Sequence, residues 1–196
     1  MAARARTRTI PLLVALAAVM FACAPHTATR RLAEPPRTPA TSEFDARTAA
    51  YASLHRRVAA SVPAPKTTDD PARIVYHRKE LAEALRDARP DAHQGMIFTP
   101  PIQDDFRRLV SADLQSRAPD DRQAVGREVP HLPFHVNDAY PDRLPQATVP
   151  PMLLARLPRL PKELEYRFYG RHLILLDVDA NLIVDYIPDV LPAGTS

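Results

Sequence analysis

Glycine is nearly missing from this chain: it occurs only at 95, 126, 170 and 194 of 196 residues. Phosphate-cradling loops and dinucleotide fingerprints need several glycines within a few positions, so neither is possible here. Lysine occurs only at 66, 79 and 162, leaving arginine as 23 of the 26 basic residues. With abundant alanine and proline, that balance is the codon bias of a GC-rich bacterial genome. Cysteine occurs once, at Cys23. No G-x-S-x-G run occurs either, so nucleophilic catalysis has little support.

What the chain has in excess is proline, 22 residues, which means many breaks and extended segments. The formal charge of +3 and pI of 9.2 suggest a nucleic-acid partner, but the distribution argues against one. Arg4, Arg6 and Arg8 precede the first apolar run, and beyond residue 22 the chain holds 23 basic and 23 acidic residues. No basic stripe interleaved with aromatics remains to bind phosphates.

The basic start belongs to a leader. MAARARTRT is followed by the apolar run IPLLVALAAVMF and then ACA, the layout of a secretory signal over residues 1–22. The run is too short for a mature spanning helix, which needs about 20 residues. Cys23, preceded by Ala22, sits where a bacterial lipobox places the residue that is lipidated and becomes the new N-terminus. Ordinary cleavage is the alternative, but it would leave Pro25 first. A lone cysteine in an exported protein finds its explanation in lipidation. Ala24 is not the aspartate that retains such proteins at the inner membrane, which points to the outer membrane and a domain facing the periplasm. The alternative address is soluble periplasm.

Residues 23–42 then read as a proline-rich tether and 43–192 as a single α+β domain. Three helices are expected. The first covers about 43–61, with Phe44, Tyr51, Leu54 and Val58 on one side and His55 on the exposed face with Arg56 and Arg57. The second starts at Asp70-Pro71, carries the stripe Ile74, Leu81, Leu85, Ala88, and runs to Pro90. The third, entered through QGMIFTPP (94–101), has Ile102, Phe106, Leu109, Val110 and Leu114 at helical spacing. YHRKE (76–80) is an exposed face of the second helix. Nine prolines across 117–161 prevent long helices or interior strands, so this section wraps the core, anchored by Leu132, Phe134, Val136 and Tyr140. Only MLLARL (152–157) could form a short helix.

The last section reads as a three-stranded antiparallel β-meander, about 163–168, 171–176 and 182–187, turning at Tyr169-Gly170. One face then carries Leu164, Tyr166, Phe168, Leu173, Leu175, Ile183 and Ile187. The other carries Glu165, Arg167, His172, Ile174, Leu176, Leu182, Val184 and Tyr186. The helices cover one face and the proline-rich segment part of the other, and Arg171 can pair with Asp185.

Few residues carry a chemical signal. DVDANLIVD (177–185) starts like an EF-hand, with Asp177, Asp179 and Asn181 at alternate positions. Leu182 and Pro188 stand where the loop needs glycine and a bidentate glutamate. The stretch is therefore read as a hairpin tip in which Asn181 takes a left-handed backbone. His131 and His135 in HLPFH have metal-ligand spacing in outline only. In QGMIFTPP, Gly95 permits an unusual backbone and the helix N-terminus could receive an anion, or Met96, Ile97 and Phe98 act as a hydrophobic staple.

ELEYRFYGRHLILLDVDANLIVDYIPDVLP, with YHRKELAEAL and QGMIFTP upstream, resembles a group of predicted exported bacterial proteins with no assigned activity. The resemblance covers most of the chain past the tether and implies no catalytic residue. The expectation is a non-enzymatic, lipid-anchored envelope protein with a small binding or scaffolding domain. It needs no cofactor, and its partners are the membrane, through the lipid, and another envelope component. The alternative is a metal-binding protein or metal-dependent hydrolase using His131, His135 and nearby carboxylates.

Overall fold

The computed structural model describes residues 37–63, 70–118, 133–141 and 147–191. Residues 1–22, Cys23, His131 and Leu132 lie outside them. The α+β expectation holds: three long helices precede an antiparallel sheet whose strands run in sequence order. No helix among the described residues is long and apolar enough to cross a membrane.

Helix α1 (Pro39–Ser61) begins inside the stretch expected to be tether. The reason is a capping box without an acidic member. Thr38 Oγ1 accepts the Thr41 amide at 3.1 Å, and Thr41 Oγ1 accepts the Thr38 amide at 2.7 Å. Pro39 fits the first helical position, where no amide is needed. Thr38→Ala is expected to lower stability by about 1 kcal/mol in urea denaturation.

Helix α2 (Pro71–Asp87) starts as expected, the Asp70 carboxylate accepting the Ala72 amide at 3.0 Å. Only its second half packs inward, through Leu81, Ala82 and Leu85. Ile74, expected in the stripe, is 47% exposed, and Ala88 is also exposed. Helix α3 (Pro100–Gln115) buries Ile102, Phe106, Val110 and Leu114, with Leu109 partly covered. Thr99 caps it without a side-chain hydrogen bond. Pro100 and Pro101 carry no amide, so fewer donors there need satisfying.

Strand β1 (Ala147–Thr148) pairs with β2 (Leu164–Tyr169), adding a two-residue edge to the expected meander. Between them lies the short helix α4 (Pro151–Leu154), which overlaps the start of the stretch expected to form one and ends three residues earlier. Strands β3 (His172–Asp177) and β4 (Leu182–Ile187) complete the sheet. The first turn falls at Gly170-Arg171, not Tyr169-Gly170, because Tyr169 pairs with His172. Gly170 takes φ +57°, which a two-residue turn requires of one of its residues.

The shift leaves the faces of β2 and β3 as expected, since the pairing parity is unchanged. On β4 it does not. A β-bulge between Leu175 and Leu176 sets Leu176 opposite Ile183 and Leu175 opposite Asp185, so Val184 is the extra residue. That one residue reverses the side chains before it. Val184 joins the helix-covered core with Leu173 and Leu175, and Leu182 meets Leu81 and Leu85 of α2. Ile183 goes to the opposite face with Ile174 and Leu176.

Helices α1 and α3 cover the first face. Phe44 stacks on Phe98 with centroids 5.4 Å apart, and Phe106 meets Phe98 edge-on at 5.4 Å. Each such side chain contributes about 1.5–3 kcal/mol by burial, and each ring pair about 0.5–1.5 more. Phe134 and Tyr140 of the proline-rich segment cover part of the other face, packing edge-on against Tyr169, while Val136 is partly buried.

Candidate functional site

Two aspartates of the last hairpin lie fully buried, and each organises one side of the same region. Asp185 points from β4 into the segment joining α2 to α3. Its Oδ1 accepts the amides of Gly95 and Tyr186, both at 2.8 Å. Its Oδ2 accepts those of Ile97 at 2.7 Å and Phe98 at 2.8 Å. Gly95, at φ +91°, supplies the left-handed backbone that turns these amides inward. Burial pushes the carboxyl pKa up, and the four amides oppose it. An anion does meet QGMIFTPP, at the amides of residues 95, 97 and 98 ahead of α3, and it is the chain's own carboxylate. Arg171, expected to pair with Asp185, instead reaches Asp189 at 3.3 Å and the Leu191 carbonyl at 3.0 Å. Ile97 and Phe98 enter the core, while Met96 stays 36% exposed.

Asp177 does not lie in the loop at all: it is the last residue of β3. Its Oδ1 accepts the amides of Asp179 (3.1 Å) and Ala180 (2.9 Å), closing the hairpin tip. Its Oδ2 accepts the Tyr51 hydroxyl (2.8 Å) and His55 Nδ1 (2.6 Å). His55 Nε2 stands 3.4 Å from Asp179 Oδ2. Asn181 takes the expected left-handed backbone, φ +52°, and its side-chain amide donates to the Tyr140 carbonyl at 2.7 Å.

His55 is thus 3% exposed, not on a solvated face. Phe44, Thr48, Tyr51 and His55 form the inward row of α1, and the two polar members concealed it. The hydrogen bond to Asp177 raises the His55 pKa against the opposing pull of burial, with the fields of Asp177, Asp179 and Glu163 adding to the rise. Burial and then the Asp177 charge push the Tyr51 hydroxyl well up. Beside them Glu163, 2% exposed, accepts Arg56 Nη1 at 2.9 Å.

Between α1 and residues 88–97 lies a cleft of about 410 Å³. Ala50, Leu54, Pro90, Met96 and Ile97 line it together with Tyr51, Arg47, Arg89 and Asp91. The two buried aspartates fix its walls: Asp185 holds the 95–98 backbone, and Asp177 holds Tyr51. Arg47 closes one rim, donating to the Met96 carbonyl at 2.6 Å and pairing with Glu43 at 2.7 Å. Arg89 lies over the Tyr51 ring, its Cζ 4.9 Å from the centroid.

Of the metal-ligand candidates, the His135 side chain is 85% exposed, and its Nδ1 stands 3.5 Å from Asp138 Oδ2. Among the described residues no group of three or more histidine, cysteine, aspartate or glutamate side chains is placed to hold a metal ion. No protein-family model, no curated protein and no solved structure matches the chain.

Proposed function

We propose that this chain is a non-enzymatic, lipid-anchored protein of the bacterial cell envelope, and that its α+β domain is a binding module working through the cleft between α1 and residues 88–97. The observation that carries the reading is the cleft itself. Its volume of about 410 Å³ falls within the roughly 300–1,000 Å³ of small-molecule sites, and its lining mixes apolar side chains with a few charged groups in the manner of such sites. The groups best suited to acid–base chemistry are already committed: Asp177, His55 and Asp185 all bond within the fold. A diacylated Cys23 would hold the protein on a membrane, whereas a single chain would not, and the segment after it would space the domain from the surface.

Fractionation of cells expressing the full chain tests the anchor. Labelled palmitate is expected on the protein, which sediments with membranes, and Cys23→Ala is expected to release it to the soluble fraction. An unlabelled protein, or a Cys23→Ala chain still on membranes, overturns the anchor. Stoichiometric zinc or calcium in the purified protein would overturn the non-enzymatic reading in favour of a metal-dependent one.

A further inference from the structure

We infer that the cleft takes a small amphipathic anion, a carboxylate or comparable oxyanion on an apolar body, with Arg89 as its counter-charge; this rests on the domain being a binding module. The argument starts from how Arg89 is satisfied. A guanidinium has five N–H donors in a planar fork. Arg89 Nη1 donates to the Asn137 side-chain oxygen and Nη2 to the Val184 carbonyl, each at 3.2 Å, and the Tyr51 ring covers one face. Both acceptors are neutral.

Among the described residues no carboxylate lies within 4.0 Å of this cation. Asp185 and Asp177 act on it only through their field, and burial holds its pKa below the ordinary guanidinium value. A partly buried cation with spare donors and only distant counter-charge favours an anion brought within hydrogen-bond reach, where charge-assisted bonds are roughly twice as strong as neutral ones.

The other rim charges do not compete for that role. Arg47 already spends its fork on Glu43 and the Met96 carbonyl. Asp91, exposed on the lip, is the one acid among the described residues lining the cleft, and it disfavours a ligand with two separated negative charges. Leu54, Ala50 and Met96 offer the apolar body its wall. A single headgroup against Arg89, with its chain along these three residues, is the chemistry that fits.

Octanoate is a suitable probe, with octyltrimethylammonium as the same chain bearing the opposite charge. The full chain is labelled at its methionine methyls, of which Met96 lines the cleft and Met152, 65% exposed on α4, reports non-specific binding. Octanoate is expected to shift the Met96 methyl in a saturable way and leave Met152 in place, while the cation leaves both unmoved. Arg89→Met should weaken octanoate about ten- to a hundredfold. Because that variant also loses bonds to Asn137 and Val184, a second variant is needed. Ala50→Trp, at an exposed position of α1, should fill the cleft and abolish the Met96 shift in a folded protein. Equal binding of anion and cation, blocked by Ala50→Trp, would overturn the anionic class and keep the cleft as a site. No saturable shift with either probe, or shifts that Ala50→Trp leaves intact, would overturn both.

Discussion

Asp185→Asn is expected to destabilise the domain by roughly 3–4 kcal/mol, because it breaks a carboxylate that ties β4 to the α2–α3 connection. The wild-type carboxylate accepts four amides, two on each oxygen. Asparagine retains one accepting oxygen, so its NH2 must face two backbone donors whichever way it turns. Two amides then lose their acceptor, the part-buried pair of Gly95 and Tyr186 or the buried pair of Ile97 and Phe98, at about 1–3 kcal/mol each. The urea midpoint at pH 7 measures this. Asp189→Asn is the control: that carboxylate is 61% exposed and its pairing with Arg171 contributes under about 1 kcal/mol. If the two variants differ by less than the error of the midpoint, Asp185 is not the clamp described here. Because the segment these bonds hold contributes Met96 and Ile97 to the cleft, Asp185→Asn should also weaken octanoate binding.

The second large effect is at Asp177. Asp177→Ala strands the Tyr51 hydroxyl, the His55 imidazole and the two amides of the hairpin tip, and should cost about 3–5 kcal/mol. The same pair gives stability a pH dependence whose sign follows from the direction of the His55 shift. Its folded-state pKa is raised above 6.5, chiefly by the Asp177 hydrogen bond. The protonated imidazolium is therefore favoured in the folded state. Its contribution is complete below pH 6.5 and is lost as pH rises through the raised value. Thermal midpoints measured from pH 6 upward should fall for the wild type, and the fall should be absent in His55→Gln. A wild-type profile that instead rises over that range, or a His55→Gln profile with the same slope, would remove His55 as the responsible group.

Much of this fold is legible in the residues. Asp70-Pro71 starts α2, and the spacing of Ile102, Phe106, Val110 and Leu114 defines α3 and its buried side. LEYRFYGRHLILLDVDANLIVDYI shows its strands by alternation and its loops by Gly170 and Asn181. The start of α1 is less visible because its capping box uses Thr41 where an acidic or amide side chain is usual. The bulge at Val184 has no signature in LIVDYI, where apolar residues on both sides of Asp185 suit either register.

The candidate site was legible only in fragments. Asp185, a charge inside an apolar strand, signals by its position that a partner must exist, but that partner is four backbone amides, which no side-chain pattern reveals. His55 at the period of Phe44 and Tyr51 could have been placed inward. Its neighbours Arg56 and Arg57, respectively 57% exposed at the side chain and on the surface, disguise it. Arg89 carries no sequence signal: it stands just past the end of α2, and its position over Tyr51 depends on how α1 and α2 pack.

By itself, then, the sequence determined the elements, because caps, periodicity and turn residues act between neighbours a few positions apart. It also determined that DVDANLIVD lacks a calcium loop's glycine and glutamate. Only the tertiary structure decided what the acids of that stretch do. Asp177 meets α1 residues 122 and 126 positions away, and Asp185 meets amides 87 to 90 positions away. Contacts at such separations are set by how helices pack on a twisted, bulged sheet, and a carboxylate buried there takes whatever donors that packing delivers.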